Sequence, residues 1–205
     1  MTSRLRIAPI VEGHAEVSCI GDLLRRIWYE LLGGEYLDVR RPVRQPQGTL
    51  LQPDGLARAV QLALKSFDPP SNDPALVLIL IDSEGECPRF LGPKLRTIAS
   101  QVDPRADVAC VVAHVMYETW FVASSEHLGA FLDLRPGDPP AEPEKTGSGA
   151  SWIADRIKAA KYNKRIHVPR MTAAMNLKVC QARSPSFAKL CRELKKRMAP
   201  SGPRE

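Results

Sequence analysis

Residues 75–86 read ALVLILIDSEGE. The apolar run from Ala75 to Ile81 has no alternation, so a strand built from it has both faces covered. That is the setting of a central strand in a parallel sheet with helices packed on either side. The run stops at Asp82, and Asp82, Glu84 and Glu86 then place three acids within five residues. Like charges held that close raise one another's pKa unless a cation neutralises them. Hard oxygen donors on a short loop suit Mg2+ or Mn2+, which keep several waters and take few ligands from the protein. The plainer reading is a solvated acidic loop in which Asp82 caps the following helix. Its place after the central strand favours a site, because open α/β sheets bind ligands at the carboxyl ends of their strands.

Toward the N-terminus, Leu5–Val11 is a short strand-like run that ends at Glu12-Gly13. From Ala15 to Leu32, residues Val17, Ile20, Leu23, Leu24, Ile27, Trp28 and Leu31 recur at helical spacing, and Gly33-Gly34 stops the helix. A strand near residues 36–41, a Pro/Gln/Gly loop and a helix over 53–67 come next, before a break at DPPSNDP, residues 68–74. Beyond the central strand, a helix over 88–100 and a strand over 108–113 complete a β-α-β-α-β-α-β order. The expected fold is α/β, with about four mostly parallel strands and helices on both faces. Residues 1–132 form that domain, 133–150 a mobile Pro/Gly-rich loop, and 151–205 a basic helical extension packed on the same domain. A short helix is expected over 117–124, and a last one over 186–198.

Charge separates along the chain. Residues 1–151 hold 15 Lys and Arg against 20 Asp and Glu, whereas residues 152–205 hold 14 against 3. An acidic body with a basic last quarter suits a protein that binds cations in a pocket and a polyanion on a face. A solvated basic helix, or one docked on an acidic partner, gives the same count. No apolar run approaches the ~20 residues that cross a bilayer, and no secretory signal is evident. The five cysteines are odd in number and never form a CxxC pair, which predicts neither a disulfide framework nor a cysteine zinc site. A cytoplasmic location is the simplest reading.

Several further residues carry candidate chemistry. Glu12 stands at the first strand's end, and Glu16 falls in the first helical turn, where it either joins Glu12 or complements the helix dipole. His114 and Glu118 lie one helical turn apart, a zinc pair with no third ligand in view. Trp120 and Phe121 read as core. Lys164 is the basic residue best suited to stabilise charge on a phosphate oxygen, although it reads equally as a surface lysine. His14 and His167 carry no assignment.

Glu12-Gly13 after the first strand and Asp82-x-Glu84 after a later one resemble the Toprim fold of topoisomerases, primases and overcoming-lysogenization-defect nucleases. There an Asp-x-Asp pair is usual, so Glu84 keeps the charge on a longer arm. The segments IVEGHAEV, LIDSEGECPRFLGPKL, VVAHVMYETWFVAS and KYNKRIHVPRMTAAMNLKVCQARSPSFAKLCREL are together similar to an uncharacterised bacterial family of small Toprim-like proteins. Genes of that family often lie beside an ATPase gene in loci associated with phage defence. The resemblance implies a divalent-metal nuclease working with a partner ATPase, with Glu12, Glu16, Asp82, Glu84 and Glu118 as metal ligands and Glu12 and Lys164 as catalytic groups. It equally admits a non-catalytic sensor or regulatory subunit that binds an ATPase or nucleic acid. Asn176 stands where the family pattern leads one to expect an acid. The strand-passing and nucleotide-handling domains of topoisomerases and primases have no room here, and the chain has no Gly-Lys-Ser/Thr phosphate loop of its own.

Overall fold

The computed structural model describes residues 4–68 and 73–198. Most of the break read at residues 68–74, and residues 199–205 of the basic extension, lie outside the described residues. Strand β1 (Arg4–Val11) leads into α1 (His14–Arg26), which continues as a π-helical turn over Ile27–Leu31. Strands β2 (Tyr36–Val39) and β3 (Val43–Arg44) are followed by a helical turn, α2 (Gln47–Leu50), and by α3 (Pro53–Lys65). Then come β4 (Ala75–Asp82), α4 (Pro88–Ser100) and β5 (Asp107–Ala113). Helices α5 (Thr119–Ala123), α6 (Gly149–Ala154), α7 (Lys164–Ala174), α8 (Leu177–Arg183) and α9 (Pro185–Lys195) complete the order.

All pairings in the sheet are parallel, in the order β2-β1-β4-β5, with β3 also on β1. The single strand expected over 36–41 is shorter than read, and β3 adds a second pairing segment on the same flank of β1. Its residues Val43 and Arg44 pair with Ile10 and Val11, beyond the Arg4–Ile7 stretch that β2 covers. The loop expected after it contains α2. The last helix starts at Pro185, where Ser184 caps it by accepting from the N–H of Phe187.

Why β4 is apolar throughout is visible in the packing. Leu76, Leu78 and Leu80 enter one core with α1, α5 and α7–α9, while Val77, Ile79 and Ile81 enter a second core with α3 and α4. Each side chain buried this way contributes about 1.5–3 kcal/mol, which ties both helical layers to one strand. Trp120 and Phe121 are fully buried in the first core, as read.

The strand order also places a crevice. After β1 the chain passes to β2 on one side, and it returns on the other side as β4 and β5. The helices that follow β1 and β4 lie on opposite faces of the sheet. Neighbouring strands whose exits diverge this way open a cleft at their carboxyl ends. Glu12 and Asp82 occupy those two ends.

In the segment over 133–150, a 3-10 turn forms at Pro143–Lys145. The Glu144 carboxylate there accepts from the Ser184 hydroxyl at 2.6 Å, and from the N–H and hydroxyl of Ser186 at 2.9 and 2.6 Å. The Ser186 oxygen in turn accepts from Trp120 Nε1 at 2.8 Å. Among the described residues, no helix is long and apolar enough to cross a membrane.

Candidate active site

Two strand ends are joined through their acids. Glu12 Oε1 accepts from the backbone N–H of Asp82 at 3.1 Å, and Asp82 Oδ1 accepts from the backbone N–H of Tyr117 at 2.7 Å. The Asp82 carbonyl accepts from Gln47 Nε2 at 3.0 Å, which ties α2 to the same point. Each of these bonds fixes a carboxylate or its backbone where the sheet stops.

The loops after β4 and β5 clasp one another. Ser83 N–H donates to Ala113 O at 3.0 Å, Glu84 N–H to Val115 O at 3.1 Å, and Val115 N–H to Ser83 Oγ at 2.8 Å. Both Glu84 (φ 43°) and Val115 (φ 60°) adopt left-handed backbone. A β-branched residue there is strained by about 1–3 kcal/mol, a state that persists only where its surroundings impose it. The consequence is an exposed Glu84 held at the rim of the cleft beside a buried Asp82.

A third side comes from α1. Glu16 is buried, and its Oε2 lies only 1.9 Å from where a Cβ on Gly13 would stand. Residue 13 must be glycine for that carboxylate to lie where it does. The fourth side combines distant segments. Fully buried Glu118 accepts at Oε1 from Lys164 Nζ at 2.9 Å and from the Tyr162 hydroxyl at 3.2 Å. Lys164 opens α7, whose Asn163 cap accepts from the N–H of Arg165 at 3.0 Å. Gly149 passes against the backbone of Glu118 and Thr119, where a Cβ would meet Thr119 N at 2.6 Å. The tip of α6 therefore backs Glu118.

The electrostatics follow from this crowding. Burial pushes Glu12 up from 4.5 to about 6, with the Asp82 hydrogen bonds opposing it and Glu16 and Glu84 reinforcing it. Burial, together with the Glu12 and Glu118 charges, holds Asp82 well above the usual carboxylate range. Glu16 is raised by burial and by Glu118, while Lys164 and Arg44 pull it back. Burial lowers Lys164, but the hydrogen bond to Glu118 and the nearby acids outweigh it, and the net shift is upward.

The donor set suits a hard divalent cation. Glu12, Glu16 and Glu118 each present a buried Oε2 with no hydrogen-bond partner, and such an atom is costly without a cation or a donor. Among the described residues, no three His, Cys, Asp or Glu side chains already converge on one point. A cation placed here would meet few protein ligands at once, as Mg2+ commonly does.

The cleft itself is about 380 Å³ and is lined by Glu12, Glu16, Asp82, Glu84, Lys164 and Arg165, with His14 and Gln47 among its other walls. Glu118 does not line it but lies behind Lys164. His114 is not in its lining either, and one oxygen of Glu118 already holds Lys164 and Tyr162. His167 is structural: its Nδ1 accepts from Asn163 N–H at 2.9 Å, and its ring stacks on Tyr162. Asn176 caps α8, accepting from the N–H of Val179 at 3.1 Å, and it lines a separate recess with Arg26 and His127. The missing acid at 176 therefore takes nothing from this cleft. A roomier cleft of about 640 Å³ opens between α4, β5 and α9. Its one acid, Glu193, is already tied to Lys196 and Arg197, so the concentration of unpartnered acids lies in the smaller one. Sequence reading assigns no role to Tyr162 or Gln47. Only the Tyr-x-Lys spacing, in the motif Lys161–Lys164, hinted at Tyr162.

Fold and site together define a parallel α/β protein with a half-buried acidic cleft at the carboxyl edge of its sheet. The chain belongs to the DUF4276 family, a domain of unknown function, which matches over residues 11–195. No curated protein and no solved structure gives a significant match.

Proposed function

We infer that the protein is a divalent-metal-dependent nuclease, hydrolysing phosphodiesters with Mg2+ or Mn2+ in its acidic cleft. The observation that carries this reading is the meeting of Glu12, Glu16, Asp82 and Glu84 with Lys164 around a single cleft, with buried carboxylate oxygens left unpartnered. Asp82 and Glu84 are the principal ligands, Glu12 and Glu16 support them, and Glu118, which stands outside the cleft lining, acts on the site only by holding Lys164. The chemistry such an ion supplies is Lewis-acid polarisation of a phosphoryl oxygen.

The chain's own groups do the rest. Glu12 serves as a ligand or as the general acid/base: burial holds its carboxyl near 6 in the metal-free protein, and a cation beside it lowers that value. Lys164 sets its ammonium at the cleft wall, where it offsets charge that develops on a phosphate. Arg165 and the other cations between Arg156 and Arg197 grip the nucleic-acid backbone without reading its sequence, so binding weakens as salt rises. The motif resemblance to Toprim-like nucleases supports the reading and adds a partner ATPase in phage defence as its setting.

The test is cleavage of plasmid, single-stranded DNA and total RNA with Mg2+ or Mn2+, comparing wild type with Asp82→Ala and Glu12→Ala. Cleavage lost in both variants supports the reading. Nucleic-acid or ATPase binding without any cleavage by wild type would leave the non-catalytic sensor or regulatory subunit in its place.

A further inference from the structure

We propose that the cleft takes a single divalent ion, held on the Glu12–Asp82–Glu84 side, and that the Lys164 ammonium fills the neighbouring cation position at Glu118. This rests on the metal reading above and specifies how many ions the site holds. Glu118 is 0% exposed with one buried oxygen unpartnered, and Glu16, 8% exposed, lies close enough to feel the charges of both Glu118 and Lys164. The corner is therefore a cation position by its own chemistry. Its occupant is already present, because Lys164 Nζ is 2.9 Å from Glu118 Oε1. Tyr162 donates to the same oxygen at 3.2 Å, and its ring is fixed by stacking on His167.

Lys164 is half exposed, and its ion pair with Glu118 is what holds its ammonium at this corner. It is the first residue of α7, and that helix packs along α1, the helix that carries Glu16. It also stands between Glu118 and the cleft, since Lys164 lines the cleft and Glu118 does not. A second divalent ion at Glu118 would have to displace the ammonium from its carboxylate and remain close to it, a like-charge pair over a buried acid. On the other side nothing blocks an ion. Glu12 has a free buried oxygen, and Asp82 and Glu84 face the cleft with no lysine or arginine ion-paired to them among the described residues.

The experiment is a titration of the apo protein with Mn2+ alone, read by calorimetry and by electron paramagnetic resonance, for wild type, Lys164→Met and Glu118→Gln. Melting curves confirm that each is folded. Wild type is expected to bind one Mn2+, Lys164→Met two with the spectral broadening of neighbouring ions, and Glu118→Gln one with affinity within about threefold of wild type. Two ions in wild type, one in Lys164→Met, or a large loss of affinity in Glu118→Gln overturns the inference while leaving a metal site standing. No binding by folded wild type overturns the metal reading itself.

Discussion

Glu12 accepts a hydrogen bond from the backbone N–H of Asp82, 3.1 Å away and 70 residues later in the chain. Through it the acid that follows β1 is locked to the acid that ends β4, and a half-buried and a buried carboxyl share one small space. Neither can ionise without feeling the other, and burial adds to the cost.

That cost gives a pH dependence with a definite sign. The folded protein holds the Glu12 proton more tightly than the unfolded chain does, with a pKa of about 6 against 4.5. The associated stability is fully present below about pH 4.5 and is lost as pH rises through 6. In metal-free buffer, Glu12→Gln is expected to be more stable than wild type at pH 8 by about 1–2 kcal/mol, allowing for partial solvent screening. At pH 4.5 the two should nearly coincide. Urea unfolding at both pH values measures the difference, and a gap that does not close on acidification would contradict it.

Gly13→Ala tests the seat of Glu16. The backbone there, φ −101° and ψ 156°, accommodates alanine, so the fold should tolerate the change. The new Cβ would nevertheless strike Glu16 Oε2, which must turn away. Mn2+ affinity, read as the thermal shift on adding the ion, is expected to fall roughly tenfold, the low end for disturbing a ligand's surroundings. An unchanged shift would remove Glu16 from the site.

Val115 stores strain at φ 60° in the clasp with Ser83 and Glu84. Asparagine tolerates that conformation better than valine. Val115→Asn is accordingly expected to raise stability by about 1 kcal/mol in urea unfolding, since the residue is only half-buried. A loss of more than that would show that its apolar contacts outweigh the backbone strain.

Glu144 anchors its loop to the start of α9 through both serines. Removing it leaves the Ser184 and Ser186 hydroxyls and the Ser186 N–H short of an acceptor, so Glu144→Ala should destabilise by about 1–3 kcal/mol. Mn2+ affinity should stay unchanged, because none of these groups reaches the cleft. A lowered affinity without loss of stability would mean that the loop acts on the site directly.

Much of the architecture can be read in the chain before it folds. An apolar run without alternation, ended by an acid, says that β4 is covered on both faces, because a half-exposed strand would need polar residues at every second place. The acids Glu12, Asp82 and Glu84 are legible for the same local reason: each lies at or within two residues of the end of a strand that the pattern reveals. The division of β2 and β3 was not legible, since strands of four and two residues carry too little periodicity to register.

What the sequence determined by itself is the alternation of strands and helices and the presence of acids at two strand ends. Only the tertiary structure decided that these ends are neighbours, because strand order depends on which crossovers pack and not on local pattern. It also decided that Glu118 meets Lys164 and Tyr162, which arrive from a helix and a loop more than 40 residues away. Charge on a side chain is written in the sequence. Whether that charge is buried, paired or left facing a cleft is a property of what the rest of the chain packs around it.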